Sequence, residues 1–141
     1  MLERMTINFR QATQSDIEYM AENSINKAVD RKQLDVIDYV YTLEDKIPLL
    51  VGGFRMITPT TAWCWIDVSK DGRKRIVKSY RVIKEWIDKF AKNHEIKRLQ
   101  AFIRTDYPEA IRLIEHLGFE KESTMKDFFG DSSAYMYVRL I

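Results

Sequence analysis

Between residues 60 and 103 the sequence changes its hydrophobic period twice, and this change restricts the fold more than any other feature. Thr60 to Val68 alternates, with Trp63, Trp65 and Asp67 on one face and Cys64, Ile66 and Val68 on the other, which predicts a strand with one face in the core. Ser69 to Gly72 reads as a loop. Ile76, Tyr80, Ile83, Ile87 and Phe90 then recur at spacings of three and four, the signature of an amphipathic helix that Asn93-His94 brings to an end. Arg98 to Ile103 reads as a strand again. His94 fits a helix C-terminus, where positive charge is favoured.

The flanking segments extend this pattern. Ile7 to Ala12 alternates as a half-buried strand. Thr13 with Asp16, or Ser15 as the other candidate cap, opens a helix with Ile17, Met20 and Ala21 on one face, and a second helix is expected from about Ile25 into Val36. Tyr39 to Ile57 has a period of two interrupted at Glu44-Asp45-Lys46, so a hairpin is expected, its second arm starting near Pro48. Gly52-Gly53 within that arm suggests a bulge. Pro108 starts a helix carrying Ala110, Ile111, Leu113, Ile114 and Leu117, Gly118 stops it, and His116 falls on its wet side. Phe119 to Phe128 and Ala134 to Leu140 are read as two closing strands joined at Gly130-Asp131. The order suits an α/β class with a mixed sheet covered by helices on both faces.

A chain of 141 residues, 45% hydrophobic and 31% charged, is expected to form one ordered domain, 1–141. Its N-terminus lacks the layout of a secretory signal and its apolar stretches are short, so a soluble, cytoplasmic protein is expected. Cys64 has no internal disulfide partner and reads as a packing residue. Two histidines offer no convincing metal site. Lys and Arg total 23 against 21 for Asp and Glu, which gives no general pointer to nucleic acid. The cations are nevertheless clustered. Lys70, Arg73, Lys74, Arg75, Lys78, Arg81 and Lys84 face one acid, Asp71, either as an anion-seeking surface or as a solvated helix face. A nucleic-acid contact there lacks aromatic interleaving beyond Tyr80.

The order strand, two helices, three antiparallel strands, long helix, strand, helix, two strands resembles the GCN5-related N-acetyltransferase family over nearly the whole chain. The segment Ala110-Ile111-Arg112-Leu113-Ile114-Glu115-His116-Leu117-Gly118-Phe119 is similar to that family's A-x-x-L-Y-E-x-L-G-F. The resemblance implies an acyl-coenzyme A cofactor, acetyl-CoA, in a gap between the fourth and fifth strands. Its pyrophosphate would then lie at the start of the long helix, which makes Val68, Gly72, Arg73, Lys74, Arg75 and Ile76 the candidate cofactor residues. Helix-terminal amides with added cations suit such an anion.

Three departures qualify this resemblance. The family's phosphate loop reads R/Q-x-x-G-x-G/A, whereas Gly72-Arg73-Lys74-Arg75-Ile76-Val77 keeps one glycine. Ile114 replaces the tyrosine that often protonates the leaving thiolate. Tyr107 stands where an asparagine is common, and is the candidate acid or a packing residue. Asp67, at the end of the fourth strand, is the candidate general base or the partner of a nearby cation. Two functions remain open: N-acetyl transfer from acetyl-CoA to a small-molecule or protein amine, or a catalytically inactive structural or interaction protein bound to a protein scaffold. The second has a parallel in the similarly degraded, acetyltransferase-like internal virion proteins of short-tailed phages. The acceptor side is expected from Thr13 to Asp38 and the final strands, where Phe128, Phe129, Tyr135 and Tyr137 are also candidates for a subunit contact.

Overall fold

The computed structural model describes residues 8–24 and 39–141, apart from the side chains at 76–78. The elements are β1 (Asn8–Gln11), α1 (Gln14–Asn23), β2 (Tyr39–Asp45), β3 (Ile47–Thr58), β4 (Thr61–Val68), α2 (Lys70–Asn93), β5 (Arg98–Arg104), α3 (Pro108–His116), β6 (Glu120–Met125) and β7 (Ala134–Leu140). The helix expected from Ile25 into Val36 lies outside the described residues. The strands form a seven-stranded sheet in the order β1-β2-β3-β4-β5-β7-β6. It is mixed: β4 and β5 run parallel, and β1–β2, β2–β3, β5–β7 and β6–β7 are antiparallel. The chain gathers into two compact units, Met1–Phe54 with Ile66–Ser79 and Arg55–Trp65 with Tyr80–Ile141.

In the first unit, the capping pair expected at the start of α1 is present. The Thr13 amide donates to Asp16 Oδ2 at 2.7 Å. Asp16 does more than cap. It is only 4% exposed, takes both ends of the Arg10 guanidinium at 2.8 Å, and accepts from the Thr42 hydroxyl at 3.0 Å. Arg10 also reaches Glu44 at 2.8 Å. One guanidinium therefore ties β1 to α1 and β2, around a core containing Ile17, Met20, Leu43, Leu50, Val51 and Phe54. Burial opposes ionisation of Asp16, but Arg10, the Thr13 amide and the two threonine hydroxyls outweigh it and hold the carboxyl at about 2.

The hairpin β2–β3 turns at Lys46, which adopts a left-handed φ of 69°. Its bulge is not at the glycines. Gly52 and Gly53 pair regularly with Tyr41 and Val40, and the register slips instead between Leu43↔Leu50 and Glu44↔Pro48. Pro48 has no amide to donate, so the ladder is weakest there, and Leu49 is the residue left over. The Leu49 carbonyl accepts the Ser69 amide at 3.0 Å.

The segment from Ser69 to Gly72 is likewise not a loop. Helix α2 begins at Lys70 directly after Ser69. The Ser69 hydroxyl accepts the Gly72 amide at 3.0 Å, as an N-cap does for the third helical residue, and its oxygen lies 3.0 and 3.1 Å from the carbonyls of Pro48 and Leu49. A strong cap removes the need for intervening loop residues. Gly72 is required for a different reason: a Cβ there would lie 1.9 Å from the Leu49 carbonyl oxygen.

In the second unit, Ile83, Ile87 and Phe90 form the buried face of α2, against a core that includes Leu99, Leu117 and Phe119. Each such side chain stabilises by about 2 kcal/mol. Cys64 is buried, and burial pushes its thiol well up, only partly offset by Arg139; it is a packing residue. Pro108 opens α3 and Gly118 closes it with φ 89°. His94 stacks on Phe90 at 4.2 Å, and His116 is exposed. β6 stops at Met125, short of the expected Phe128, because Asp127 and Gly130 take left-handed φ values of 54° and 82° in the connection to β7.

Two substitutions test these contacts. Asp16→Asn is expected to cost about 2 kcal/mol near neutral pH in chemical denaturation. Because the folded carboxyl titrates at about 2 rather than 3.8, that difference is complete above 3.8 and shrinks as the pH falls towards 2. Gly72→Ala is expected to destabilise by at least about 2 kcal/mol, since the obstacle is backbone and cannot rotate away.

Candidate functional site

The sequence candidates divide between the two units, and each group has its own geometry. In the first unit, the end of β4 and the first turn of α2 hold Asp67, Val68 and residues 72–76. Val68 is buried at 6% exposure, its side chain contributing to the core. Gly72 faces the β3 backbone rather than open space, and its amide is engaged by Ser69. This leaves the amides of Lys70 and Asp71 as the first-turn donors that the Ser69 hydroxyl does not take up. Lys70, Arg73 and Lys74 are exposed. Arg75 donates to Asp45 Oδ2 at 2.5 Å. The side chain of Ile76 lies outside the described residues. A helix start carrying Arg73 and Lys74 can attract an anion, although the Asp71 carboxylate in the same turn opposes one.

Asp67 sits on the half-exposed face of β4. Its carboxyl does not pair with a cation among the described residues. It accepts a hydrogen bond from the Ser24 hydroxyl at the end of α1. Burial raises its pKa from the ordinary value, with the Ser24 hydroxyl and the Val68 amide pulling the other way. A carboxyl in this setting can exchange a proton closer to neutral pH than a solvated aspartate.

In the second unit, Tyr107 is the residue before α3, half-buried, with the Arg104 guanidinium 5.0 Å from its ring centroid. Arg104 is itself held by Asp106 and Asp131, both at 3.1 Å. Ile114 is buried at 4% exposure and serves packing. The parallel register of β4 with β5 covers only Thr61↔Arg98, Ala62↔Leu99 and Trp63↔Gln100. β5 nevertheless continues to Arg104 and stays paired with β7 along its whole length. Beyond Gln100 it is therefore laddered on one side.

Ser24, Ser69 and Asp45 escaped the sequence reading. Ser69 had a readable signal, a serine immediately before a helix and three residues ahead of a glycine. Ser24 and Asp45 had none, since each acts on a residue far away in the chain. Among the described residues no group of three or more His, Cys, Asp or Glu could hold a metal ion, and no helix is long and apolar enough to cross a membrane.

No family model and no curated protein matches the sequence. Solved structures do match. A spermidine N-acetyltransferase, SpeG, from Vibrio cholerae superposes with a TM-score of 0.79 at 13% identity, over 97% of this chain and 95% of that one. The ribosomal-protein-S5-alanine acetyltransferase from Vibrio fischeri gives 0.75 at 15% identity, over 99% and 95%. Ard1 from Thermoplasma volcanium gives 0.74 at 16% identity, over 96% and 97%. Likeness over nearly the full length of each chain, with the element order and mixed sheet described above, establishes that this protein has the GCN5-related N-acetyltransferase fold.

Proposed function

We propose that the chain is an N-acetyltransferase that uses acetyl-CoA to acetylate an amine, with a phosphate grip made from side chains rather than from a glycine loop. The observation that carries this reading is the first turn of α2, where the amides of Lys70 and Asp71 lie outside the reach of the Ser69 hydroxyl and Lys74 is exposed, in a fold shared with a spermidine N-acetyltransferase and a ribosomal-protein-S5-alanine acetyltransferase. The residues present fit such a cofactor in part. The amides of Lys70 and Asp71 with the side chains of Arg73 and Lys74 would hold its phosphates, while Gly72 and Arg75 support the turn from behind.

When bound, acetyl-CoA supplies an acetyl thioester. The chain's own contribution begins with Asp67, which as carboxylate takes the proton of the acceptor ammonium and leaves a neutral amine to attack. Tyr107 is the candidate acid for the leaving sulfur. The acceptor is a small-molecule or protein amine, and a soluble, cytoplasmic setting goes with this reading.

A second reading has its own support. The Ser69 cap on Gly72 and the Asp71 carboxylate both weaken the helix start as an anion site, and Ile114 cannot donate a proton. These features suit a copy of the fold kept as a scaffold or interaction protein, such as a phage virion component.

Thermal denaturation with acetyl-CoA separates the two readings. Ligand at 100 times its dissociation constant adds about 2.7 kcal/mol and is expected to raise Tm by about 8 °C. The Lys74→Glu variant is expected to lose a large part of that rise while melting normally without ligand, since Lys74 is exposed. No rise at millimolar acetyl-CoA would favour the scaffold reading. Asp67→Asn is expected to abolish transfer while leaving Tm at pH 7.5 unchanged or higher. Burial raises the Asp67 pKa, so the ionised form is the one the fold disfavours, and its cost appears as the pH rises above the unfolded value.

A further inference from the structure

Among the described residues, Asp16 and Asp67 are both withdrawn from water and hydrogen-bonded, and they are held by different chemistry. Asp16 receives a guanidinium, an amide and two hydroxyls. Asp67 receives one neutral hydroxyl, from Ser24, with the Val68 amide as the second favourable contact. A guanidinium partner fixes a carboxylate in its charged form and removes its use as a base. A hydroxyl orients a carboxylate without neutralising it.

Ser24 is itself tightly held. Helix α1 ends at Asn23, and the Ser24 amide still donates to the Met20 carbonyl at 2.9 Å. The backbone then becomes extended, with φ −66° and ψ 140°, and pairs with Ser69 in an isolated antiparallel bridge. Ser24 is 4% exposed and Ser69 is fully buried. The hydroxyl that meets Asp67 Oδ1 is therefore anchored on one side by α1 and on the other by the residue that caps α2. It engages only one carboxyl oxygen, Oδ1. This contact fixes the carboxyl relative to the end of α1, with the Val68 amide as its other favourable partner.

We propose that Ser24 is a positioning residue for Asp67, orienting its carboxylate and setting its readiness to accept a proton from the acceptor amine. This inference rests on the reading of Asp67 as the general base. The groups acting on the Asp67 carboxyl are the Ser24 hydroxyl from the end of α1 and the Val68 amide from its own strand; no described ionisable side chain is bonded to it. Loss of the Ser24 hydroxyl removes a donor to the charged form, so the proton is held to higher pH.

The test uses the full chain labelled with carboxyl-13C aspartate. The Asp67 carbon is titrated by NMR in wild type, Ser24→Ala and Ser24→Cys, and the pH dependence of kcat for acetyl transfer is measured on the same proteins. Ser24→Ala is expected to move the Asp67 midpoint and the acid limb of the kcat profile upward together. Ser24→Cys, a weaker donor of similar size, is expected to fall between wild type and alanine. If the alanine variant does not fold, the cysteine variant decides alone. An active wild type whose profile and Asp67 titration are both unchanged in the folded variants overturns the positioning role. A wild type that transfers no acetyl group at any pH overturns the proposed function, and the catalytic use of the pair with it.

Discussion

A single backbone carbonyl, that of Leu49, organises the part of the molecule where chemistry is proposed. The register slip beside Pro48 leaves Leu49 without a partner on β2, and its oxygen instead receives the Ser69 amide. Ser69 in turn caps the third amide of α2, and a residue with any side chain at position 72 would collide with that same oxygen. Bulge, cap and glycine form one device that lets a 24-residue helix leave a strand with only one residue between them. Gly72 is therefore required for packing against β3. Any anion binding at this helix start has to come from the remaining amides and from side-chain charge, which is screened by salt far more than buried amide contacts are.

The two aspartates show how the first unit separates stability from chemistry. Asp16, paired with Arg10, holds three elements together and is driven towards the acidic end of its range. Asp67, facing a hydroxyl, is shifted the opposite way by burial. A carboxyl kept partly desolvated without a cation is a local cost to folding, and costs of that kind tend to persist at sites that use them. Ser24 limits the cost while leaving the carboxylate basic.

Much of the architecture was legible in the sequence because it is written in local patterns. The period of α2, the alternation of β4 and β5, the Thr13–Asp16 cap and the Pro108 to Gly118 limits of α3 all depend on residues close in the chain. What failed was also physically specific. Gly52-Gly53 looked like a bulge, but the weak point of the ladder was Pro48, two residues after the turn at Lys46. Ser69 to Gly72 looked like a loop because Gly72 reads as a breaker, whereas its role depends on a carbonyl 23 positions earlier. The site residues showed the same divide. Asp67 was visible as a carboxylate at a strand end, but Ser24 lies 43 positions away and Asp45 lies 30 positions from Arg75, separations at which no periodicity or motif carries information.

The proposed function requires the first turn of α2 to receive the phosphates of a coenzyme through the amides of Lys70 and Asp71 and through side-chain charge. Amide NMR of the 15N-labelled chain during titration with coenzyme A measures this directly. Saturable shifts are expected at the amides of Lys70, Asp71, Arg73 and Lys74, with Gly72, held by Ser69, moving least. Spectra that stay superimposable at millimolar ligand, or shifts confined to residues far from the start of α2, would contradict it.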